Sequence, residues 1–361
     1  MAIKVEKILL DLVAIPSVSP LSNAPVIDYA EKYLGGWKIK RYPYRDAAGV
    51  EKINLVATTR PGIAELALVC HTDTVPYDAG WSEAVRPVIR AGKLYGRGSC
   101  DVKGFLACVL AAVARVKVSK SLAVVLTADE EVGCLGAKFL ARKKVLRARN
   151  MVIGEPTGLR PVCAGKGYGL AEIVVRGKEA HSAFPSKGRS AIFDAARVVT
   201  RLERVAKRLE ARKNRAFDPP FTTLNVGLIK GGTAKNIIAG ECRITVEWRP
   251  VPGQPGDWAA ELIREALKGF DARLDVKRLD PAFEPSATRR LAGMVESMTR
   301  RSATTVSFGT EAAHLSGMTS EAIVFGPGDM TVAHRSGEFV AVKDLKECVG
   351  CLGELIHRLC G

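Results

Sequence analysis

The stretch LALVCHTDTVP, residues 66–76, decides the architecture that we expect for the chain. Its first five residues are apolar, which predicts a strand buried on both faces, as in a parallel sheet covered by helices. Polar residues follow at once, beginning with His71 and including Asp73. In an open α/β sheet, ligands bind outside the carboxyl ends of the strands. We therefore expect a site at His71.

Apolar strands alternate with helices on both sides of this stretch. The pattern predicts helices at 3–14, 25–35, 104–116 and 136–141, and strands at 54–58, 65–70, 122–126 and 151–153. This alternation favours an α/β fold, with a mostly parallel central sheet covered by helices.

The pattern changes after Gly165. The elements predicted next follow a β-α-β-β-α-β order, at 169–176, 190–209, 223–229, 241–249, 258–267 and 273–278. This is the order of a ferredoxin-like split unit, which is complete in itself. We therefore expect an inserted α+β domain at 166–282 between two parts of a catalytic domain, 1–165 and 283–361. In the second part, helices to Met298 and at 342–359 flank predicted strands at 305–308 and 322–325.

Composition bounds the class of protein. Hydrophobic residues make up 47% of the chain and charged residues 25%, as in ordinary globular proteins. The amino-terminal stretch mixes charged and apolar residues, so it predicts an amphipathic helix rather than a signal peptide. No run approaches the roughly 18 apolar residues of a membrane-spanning helix. We expect a cytoplasmic protein without a membrane partner.

The nine cysteines agree with that location. Their number is odd and most lie in apolar runs, where cysteine acts as a small hydrophobic residue. Cys348 and Cys351 form a CxxC motif inside a predicted helix, but no second CxxC accompanies them to complete a zinc site. We expect reduced thiols in the core.

The net charge of +16 would suit a nucleic acid, an acidic surface or an anionic substrate. However, the basic residues are scattered along the chain, and aromatic residues make up only 6% of it. There is no nucleic-acid recognition motif. Solvated helix faces and turns explain the charge better, so we expect no nucleic acid partner.

Further polar junctions contain acids or a histidine beside glycine or proline. The candidate side chains are Asp101 in LYGRGSCDVKGF, Glu130 and Glu131 in TADEEVG, Glu155 in MVIGEPTG and His334 in GPGDMTVAHRSGEF. Two of these motifs also have a simpler explanation. Asp101 fits the N-cap of the next helix, and the acids after residue 127 fit a solvated loop whose Asp129 faces outward.

The joint placement of these groups indicates a metal site. Imidazoles and carboxylates together suit Zn²⁺, Co²⁺ or Mn²⁺ rather than Ca²⁺ or an iron–sulfur cluster. Two metals that share a bridging carboxylate would lower the pKa of a water toward neutrality. One further carboxylate would then be needed to accept the proton of that water.

Six motifs occur in order along the chain: HTDTVP, GRGSCDVKG, TADEEVG, GEPT, AHSAFP and AHRSGEF. Together they resemble the two-metal metallopeptidase and deacylase family that includes acetylornithine deacetylase, succinyl-diaminopimelate desuccinylase, aminoacylase and carboxypeptidase G. Within that family, GSCDVKG, TADEE and VSFGTEAAHL are most similar to the acetylornithine deacetylase branch.

The resemblance implies a metal centre with two divalent ions. Zn²⁺ is the expected metal, and Co²⁺ and Mn²⁺ are the alternatives. Asp101 would bridge the ions. His71 and Glu155 would hold one ion, and Glu131 and His334 the other.

The resemblance also implies catalytic roles outside the ligand set. Asp73 would orient His71, and Glu130 would be the general base. The inserted domain would form a homodimer, in which His181 of AHSAFP reaches the partner's active site and stabilises the oxyanion. Taken alone, His181 fits a turn at a strand end.

Substrate contacts are implied for Asn236 and Arg249, which would bind a carboxylate, and for Thr310 and Glu311 of the GTEA segment. Glu311 would pair with a substrate ammonium group. Arg249 equally fits a surface position before Pro250. His314 stands where the resemblance leads us to expect an aromatic or apolar residue, and we favour a structural role for it. His357 fits a helix surface.

The function expected from the resemblance is hydrolysis of the N-acyl amide of a small amino acid. N-acetylornithine is the expected substrate. The alternatives within this chemistry are N-acetylcitrulline, N-acetyllysine, N-succinyl-diaminopimelate or a lysine or ornithine linked to an acidic carrier protein. A metal-binding or small-molecule-binding protein on the same scaffold is the non-enzymatic alternative.

Overall fold

The structure is a computed structural model, and it describes residues 4–114 and 117–361. It divides into two compact units. Unit 1 comprises Met1–Cys163, Pro285–Thr304 and His314–Gly361, and unit 2 comprises Ala164–Glu284 and Thr305–Ala313.

The described residues form α-helices and strands throughout both units. The helices are α1 (Val5–Val13), α2 (Ala24–Glu31), α3 (Lys103–Val113), α4 (Leu135–Lys143), α5 (Ala191–Glu210), α6 (Trp258–Leu267), α7 (Arg290–Thr299), α8 (Ala312–Leu315) and α9 (Val342–Cys360). The strands are β1 (Lys38–Arg45), β2 (Glu51–Thr58), β3 (Ala64–His71), β4 (Val88–Arg90), β5 (Lys93–Tyr95), β6 (Leu122–Thr127), β7 (Ala148–Gly154), β8 (Val162–Gly165), β9 (Tyr168–Arg176), β10 (Thr223–Gly231), β11 (Glu241–Arg249), β12 (Ala272–Asp280), β13 (Thr304–Val306), β14 (Thr319–Phe325) and β15 (Phe339–Ala341).

A large sheet in the order β1-β2-β6-β3-β7-β14-β8-β13 carries unit 1. Its central strands β6, β3, β7 and β14 run parallel, and β1, β2 and β8 pair antiparallel. The register pairs His71 with Thr127 and Gly154 with Phe325, so the carboxyl ends of the parallel strands reach one edge. The predicted α/β fold with a mostly parallel central sheet is confirmed.

Three helices, α1, α3 and α9, pack against one another beside this sheet in the core of unit 1, to which α2 and α7 add further buried residues. Every residue of α3 is buried, as expected for a helix that is apolar on all sides. The other two helices are amphipathic and bury one face, with Ile8 and Leu12 on α1 and Leu352 and Leu355 on α9. This packing holds α3 directly behind the loop that contains Asp101.

Unit 2 contains a second sheet, in the order β10-β11-β9-β12, with all pairs antiparallel. Helices α5 and α6 pack against it, so the elements follow the predicted β-α-β-β-α-β order. Trp248 is fully buried, and a Cβ on Gly169 would lie 1.9 Å from its ring, so only glycine fits there. The bounds expected for the inserted domain, 166–282, and its expected role stay predictions.

Several elements differ from the sequence-based expectations. Strand β1 was not predicted because its sequence KIKRYPYR lacks an apolar run and contains Pro43, features of an edge strand. Helix α2 ends at Glu31 rather than 35. The predicted helix ends at Ile3 and Val116 lie outside the described residues. The N-cap explanation for Asp101 is wrong, because Val102 occupies that position without a side-chain capping bond.

Two further properties of the described residues concern the cysteines and the length of the helices. The nine cysteines all lie within the described residues, and none of them forms a disulfide bond there. No helix in residues 4–114 or 117–361 is long and apolar enough to cross a membrane.

Candidate metal centre

The candidate ligands lie where parallel strands of unit 1 end. His71 is the last residue of β3, Glu155 follows β7 by one residue, and Glu131 lies in the turn between β6 and α4. Asp101 precedes α3, and His334 comes from the loop after β14. Ligand atoms of His71, Asp101 and Glu131 lie within 4.8 Å of one another.

The Asp101 carboxylate lies between the two histidines. Its Oδ1 is 3.2 Å from Nε2 of His71, and its Oδ2 is 3.0 Å from Nε2 of His334. His334 Nε2 is also 3.2 Å from Oε1 of Glu131. Each carboxylate oxygen of Asp101 therefore faces a different imidazole, which is compatible with a carboxylate that binds one metal ion through each oxygen.

Both imidazoles are held in defined orientations. Nδ1 of His71 donates to the backbone carbonyl of Asp73 at 3.0 Å, so its Nε2 faces Asp101 without a proton in the neutral form. The Asp73 carboxylate is farther from this Nδ1, at 3.7 Å. His334 has a positive φ of 60°, which is uncommon outside glycine and is typical of functional positions.

The Asp73 carboxylate instead fixes the turn that carries the two glutamates. Its Oδ1 accepts the backbone N–H of Glu130 at 3.0 Å, and its Oδ2 accepts that of Glu131 at 3.3 Å. The hydroxyl of Ser19 also donates to Oδ2, at 2.7 Å. Asp73 thus links β3 to the turn after β6, a structural contact that differs from the role predicted for it.

The electrostatics of this cluster are those of a cation site. Burial, together with the charges of Glu131, Asp101 and Asp73, raises the pKa of Glu130 to about 8. Hydrogen bonds with Asp101 and Glu131 raise the pKa of His334 to about 10. Burial opposes the charged form of His71, yet Asp101, Glu130 and Glu155 raise its pKa well above the usual value. A field that draws protons to these imidazoles would equally draw a divalent cation, so the residues present fit a metal centre.

Asp129 does not face outward, and the expectation that it would was wrong. It is buried, with Oδ2 accepting the Tyr44 hydroxyl at 2.7 Å and Oδ1 lying 3.1 Å from Nζ of Lys52. Glu131 is partly buried, with 8% of its side chain exposed. The solvated-loop explanation for these acids therefore fails, because the turn packs into unit 1.

Glu338 was missed as a member of the site, although it lies within AHRSGEF. It is fully buried, and its Oε1 accepts the backbone N–H groups of Cys100 and Asp101 at 2.9 and 3.0 Å. Its Oε2 pairs with the buried guanidinium of Arg97 at 2.5 Å. The motif was a signal for this glutamate, but nothing in the sequence indicates contact with a backbone so distant in the chain.

The remaining predicted site residues lie in unit 2. His181 is exposed, and its Nδ1 accepts the backbone N–H of Ala183 at 3.1 Å, which leaves Nε2 as the protonated nitrogen in the neutral form. The carbonyl of Asn236 accepts the N–H of Ser182 at 3.0 Å, so the AHSAFP loop and the Asn236 loop are neighbours.

The other predicted substrate residues of unit 2 differ in exposure. Arg249 is partly exposed, and its guanidinium lies 4.3 Å from the Tyr168 ring centroid. Thr310 and Glu311 are buried. The roles of these residues in substrate binding stay predictions.

Positive charge in unit 1 gathers away from the candidate metal centre. A groove of about 400 Å³ is lined, among the described residues, by five cations and no acid: Lys38, Lys40, Arg60, Lys144 and Arg147. Its loops precede β3 and β7, so it lies at the amino ends of these strands. His314 lines a neighbouring cavity of about 410 Å³ with Lys144 and Arg147. His357 is exposed on α9.

Comparison with known proteins identifies relatives over the whole chain. The model of Peptidase family M20/M25/M40 matches residues 67–358. Acetylornithine deacetylase of Myxococcus xanthus is 48% identical over 98% of this chain and 97% of its own length. Acetylornithine deacetylase of Proteus mirabilis is 34% identical over 97% of this chain and 95% of its own length.

Solved structures show the same fold at lower identity. Aminopeptidase PepT from Bacillus cereus is 21% identical, with a TM-score of 0.78, and covers 99% of this chain and 98% of its own. An M20 family metallo-carboxypeptidase from Sulfolobus solfataricus is 17% identical, with a TM-score of 0.79, over 98% of each chain. The family match and the close relatives lead to one conclusion: the chain belongs to peptidase family M20/M25/M40.

Proposed function

We propose that the chain is a metal-dependent amidohydrolase that converts N-acetylornithine to ornithine and acetate, as a step of arginine biosynthesis in the cytoplasm. One observation carries the chemistry: Asp101 presents one carboxylate oxygen to each of two histidines, beside Glu130. The substrate follows from the acetylornithine deacetylases that match this chain over nearly their full length. The free thiols suit a reducing compartment.

Two divalent cations would be held by side chains of unit 1, with Asp101 between them. His71 and Glu155 would complete one set of ligands, and Glu131 and His334 the other. Imidazole and carboxylate ligands fit Zn²⁺, with Co²⁺ and Mn²⁺ as substitutes. When bound, such a pair lowers the pKa of a water toward neutrality and polarises the amide carbonyl.

Glu130 would transfer the proton during hydrolysis. Its carboxylate takes a proton from the water whose oxygen attacks the acetyl carbonyl carbon. The same carboxyl group then delivers this proton to the amide nitrogen as the C–N bond breaks, so that acetate and a free amine leave. Burial raises the pKa of Glu130, which makes its carboxylate a stronger proton acceptor than that of an exposed glutamate.

Residues of unit 2 would bind the substrate and its oxyanion. His181 would donate from Nε2 to the oxygen that gains charge, where a hydrogen bond strengthens in the transition state. Arg249 and Asn236 would bind the substrate carboxylate, since a guanidinium offers a planar pair of donors. Thr310 and Glu311 would bind the substrate's side-chain amine.

We also propose that unit 2 forms a homodimer along β10. This strand is at the edge of its sheet, and it exposes Leu228 and Ile229, with 57% and 53% of their surfaces accessible. Phe193 at the start of α5 is 73% exposed. Large apolar side chains at an open strand edge are typical of a protein interface. Light scattering after size exclusion should give a dimer for the wild type and a monomer for Leu228→Asp with Ile229→Asp; a wild-type monomer would refute the interface.

The distribution of positive charge relative to the candidate metal centre does not favour the alternative of an acidic carrier-protein partner. The cationic groove lies at the amino ends of β3 and β7, whereas His71 is at the carboxyl end of β3. Electrostatic steering of a carrier would make kcat/KM fall steeply with salt. We expect a nearly salt-independent kcat/KM for acetylornithine.

A substrate panel with Zn²⁺-loaded or Co²⁺-loaded protein tests the proposal. The panel contains N-acetylornithine, N-acetylcitrulline, N-acetyllysine and N-succinyl-diaminopimelate, and free amine is measured. We expect the highest kcat/KM for N-acetylornithine; a higher value for another member would reassign the substrate. Glu130→Gln should keep the metal content and lose at least about 10²-fold in kcat. Full activity of this variant would refute its role.

A further inference from the structure

A buried lysine lies behind the turn that carries Glu130. Lys52 extends from β2, and only 1% of its side chain is exposed. Its Nζ donates to the backbone carbonyls of Ser19 and Leu21, the latter at 2.8 Å. The same ammonium lies 3.1 Å from Oδ1 of Asp129 and 3.5 Å from Oδ2 of Asp46. A buried charge is tolerated only when it is paired and hydrogen-bonded, as here.

One branch of contacts runs from Lys52 to the turn itself. Asp129 immediately precedes Glu130 and has a φ of 58°, in the left-handed region. Its carboxylate is held on one oxygen by Lys52 and on the other by the hydroxyl of Tyr44 at 2.7 Å. These contacts stabilise an unusual backbone conformation one residue before Glu130.

A second branch reaches the same turn from the other side. Lys52 holds the carbonyl of Ser19, and the Ser19 hydroxyl donates to Oδ2 of Asp73 at 2.7 Å. The Asp73 carboxylate accepts the backbone N–H groups of Glu130 and Glu131. The two branches therefore form a closed ring of contacts around the turn, and Lys52 is the cation within it.

We propose that Lys52 is a positioning residue for hydrolysis, which fixes the Glu130 carboxylate through Asp129 on one side and through Ser19 and Asp73 on the other. The inference rests on the proposed role of Glu130 as the general base. Lys52 acts from behind the turn, so its removal alters where Glu130 points and not what binds the substrate. A displacement near 1 Å at a catalytic group lowers a rate by on the order of 100-fold.

The test compares Lys52→Met with Glu321→Gln as a matched control. Glu321 is a buried charge of unit 1 that accepts backbone N–H groups at the start of α7, near the amino end of β14. Both variants lose a buried charge, and both should be less stable. We expect Lys52→Met to lower kcat by about 100-fold with KM within about twofold and the metal content unchanged. Glu321→Gln should keep kcat.

Coupling within the ring gives a second readout. Asp129→Asn should lower kcat, and the double variant with Lys52→Met should lose little more than Lys52→Met alone, because the two residues act as a unit. Independent, multiplicative losses would overturn the proposal. If Lys52→Met does not fold, Tyr44→Phe removes one contact to Asp129 at a partly exposed position and should lower kcat several-fold. An unchanged kcat for Tyr44→Phe would then overturn it.

Amide hydrogen exchange separates this inference from the proposed function, because it needs no substrate. The amides of Glu130 and Glu131 should exchange faster in Lys52→Met than in the wild type, and at the wild-type rate in Glu321→Gln. The kinetic assays use the N-acyl amino acid that the wild type hydrolyses fastest. A wrong substrate therefore refutes only the proposed function, whereas unchanged exchange or an unchanged kcat in a folded Lys52→Met refutes only the positioning role.

Discussion

The carboxylate of Glu338 accepts the backbone N–H of Asp101 at 3.0 Å, and thereby joins the loop that contains His334 to the loop that precedes α3. The candidate ligands Asp101 and His334 come from parts of the chain on either side of unit 2. One buried side chain therefore fixes the position of one loop relative to the other. The contact is maintained by Arg97, which neutralises the same carboxylate.

Replacement of Glu338 should show how strongly this contact supports unit 1. Glu338→Gln leaves the buried Arg97 without a counter-charge, which costs about 3–5 kcal/mol in the free energy of unfolding. Urea unfolding of the metal-free protein measures this loss. The double variant Glu338→Gln with Arg97→Met should recover part of it, and a double variant as unstable as the sum of its parts would contradict the pairing.

The exposure of the two histidines predicts different outcomes when each is removed. The His334 side chain is 48% exposed, so His334→Ala should keep the fold and lower the metal content from two ions to about one per chain. His71 is buried, so His71→Ala should also lower Tm. Elemental analysis after dialysis measures the metal, and His357→Ala is the control. Two tightly bound ions in His334→Ala would rule out the ligand role.

The predicted role of His181 depends on a free Nε2 donor. His181→Ala should lower kcat by about 10²–10³-fold, the range for loss of one oxyanion donor. Because the side chain is exposed, Tm should not change. His181→Gln keeps a side-chain N–H and should restore part of the rate. Equal rates for the alanine and glutamine variants would argue that the imidazole does not donate a hydrogen bond.

Gly154 is required by close packing beneath the candidate ligand Glu155. A Cβ at this position would lie 2.1 Å from Cδ1 of the buried Phe105, so the strand end must shift. Gly154→Ala should destabilise the protein by about 1–3 kcal/mol and weaken metal binding. Gly350→Ala is the control, since a Cβ there meets nothing within 4 Å and helix α9 should gain about 0.4–1 kcal/mol. Thermal unfolding of both variants measures the contrast.

The central strands and the edge that carries the candidate centre were predictable from the sequence because they depend on local pattern. Runs such as LALVC identify buried strands, and the polar residues that follow them fall at one edge of a parallel sheet. For this reason His71, Asp101, Glu131 and His334 were expected near one another, and the structure brings them together. Strand β1 has no such run, and it was missed.

The supporting contacts were not predictable, because they join side chains to backbone groups that are remote in sequence. The sequence contains no sign that Glu338 would accept the Asp101 N–H, or that Asp73 would accept the Glu130 N–H. Lys52 is equally hidden, since a lysine beside a glutamate at the start of a strand is usually solvated. These contacts depend on turn geometry, which local pattern does not specify.

The position of β14 has a consequence for synthesis of the chain. This strand pairs with β7, but it follows unit 2 in the sequence. While unit 2 is being translated, β7 has an open, apolar edge for roughly 10 to 30 s at an elongation rate of about 5–20 residues per second. Unpaired edges of this kind recruit other strands, so a chain that stalls within unit 2 is prone to aggregate. Rapid pairing of β14 with β7 once β14 has been synthesised would close this edge and protect the nascent enzyme.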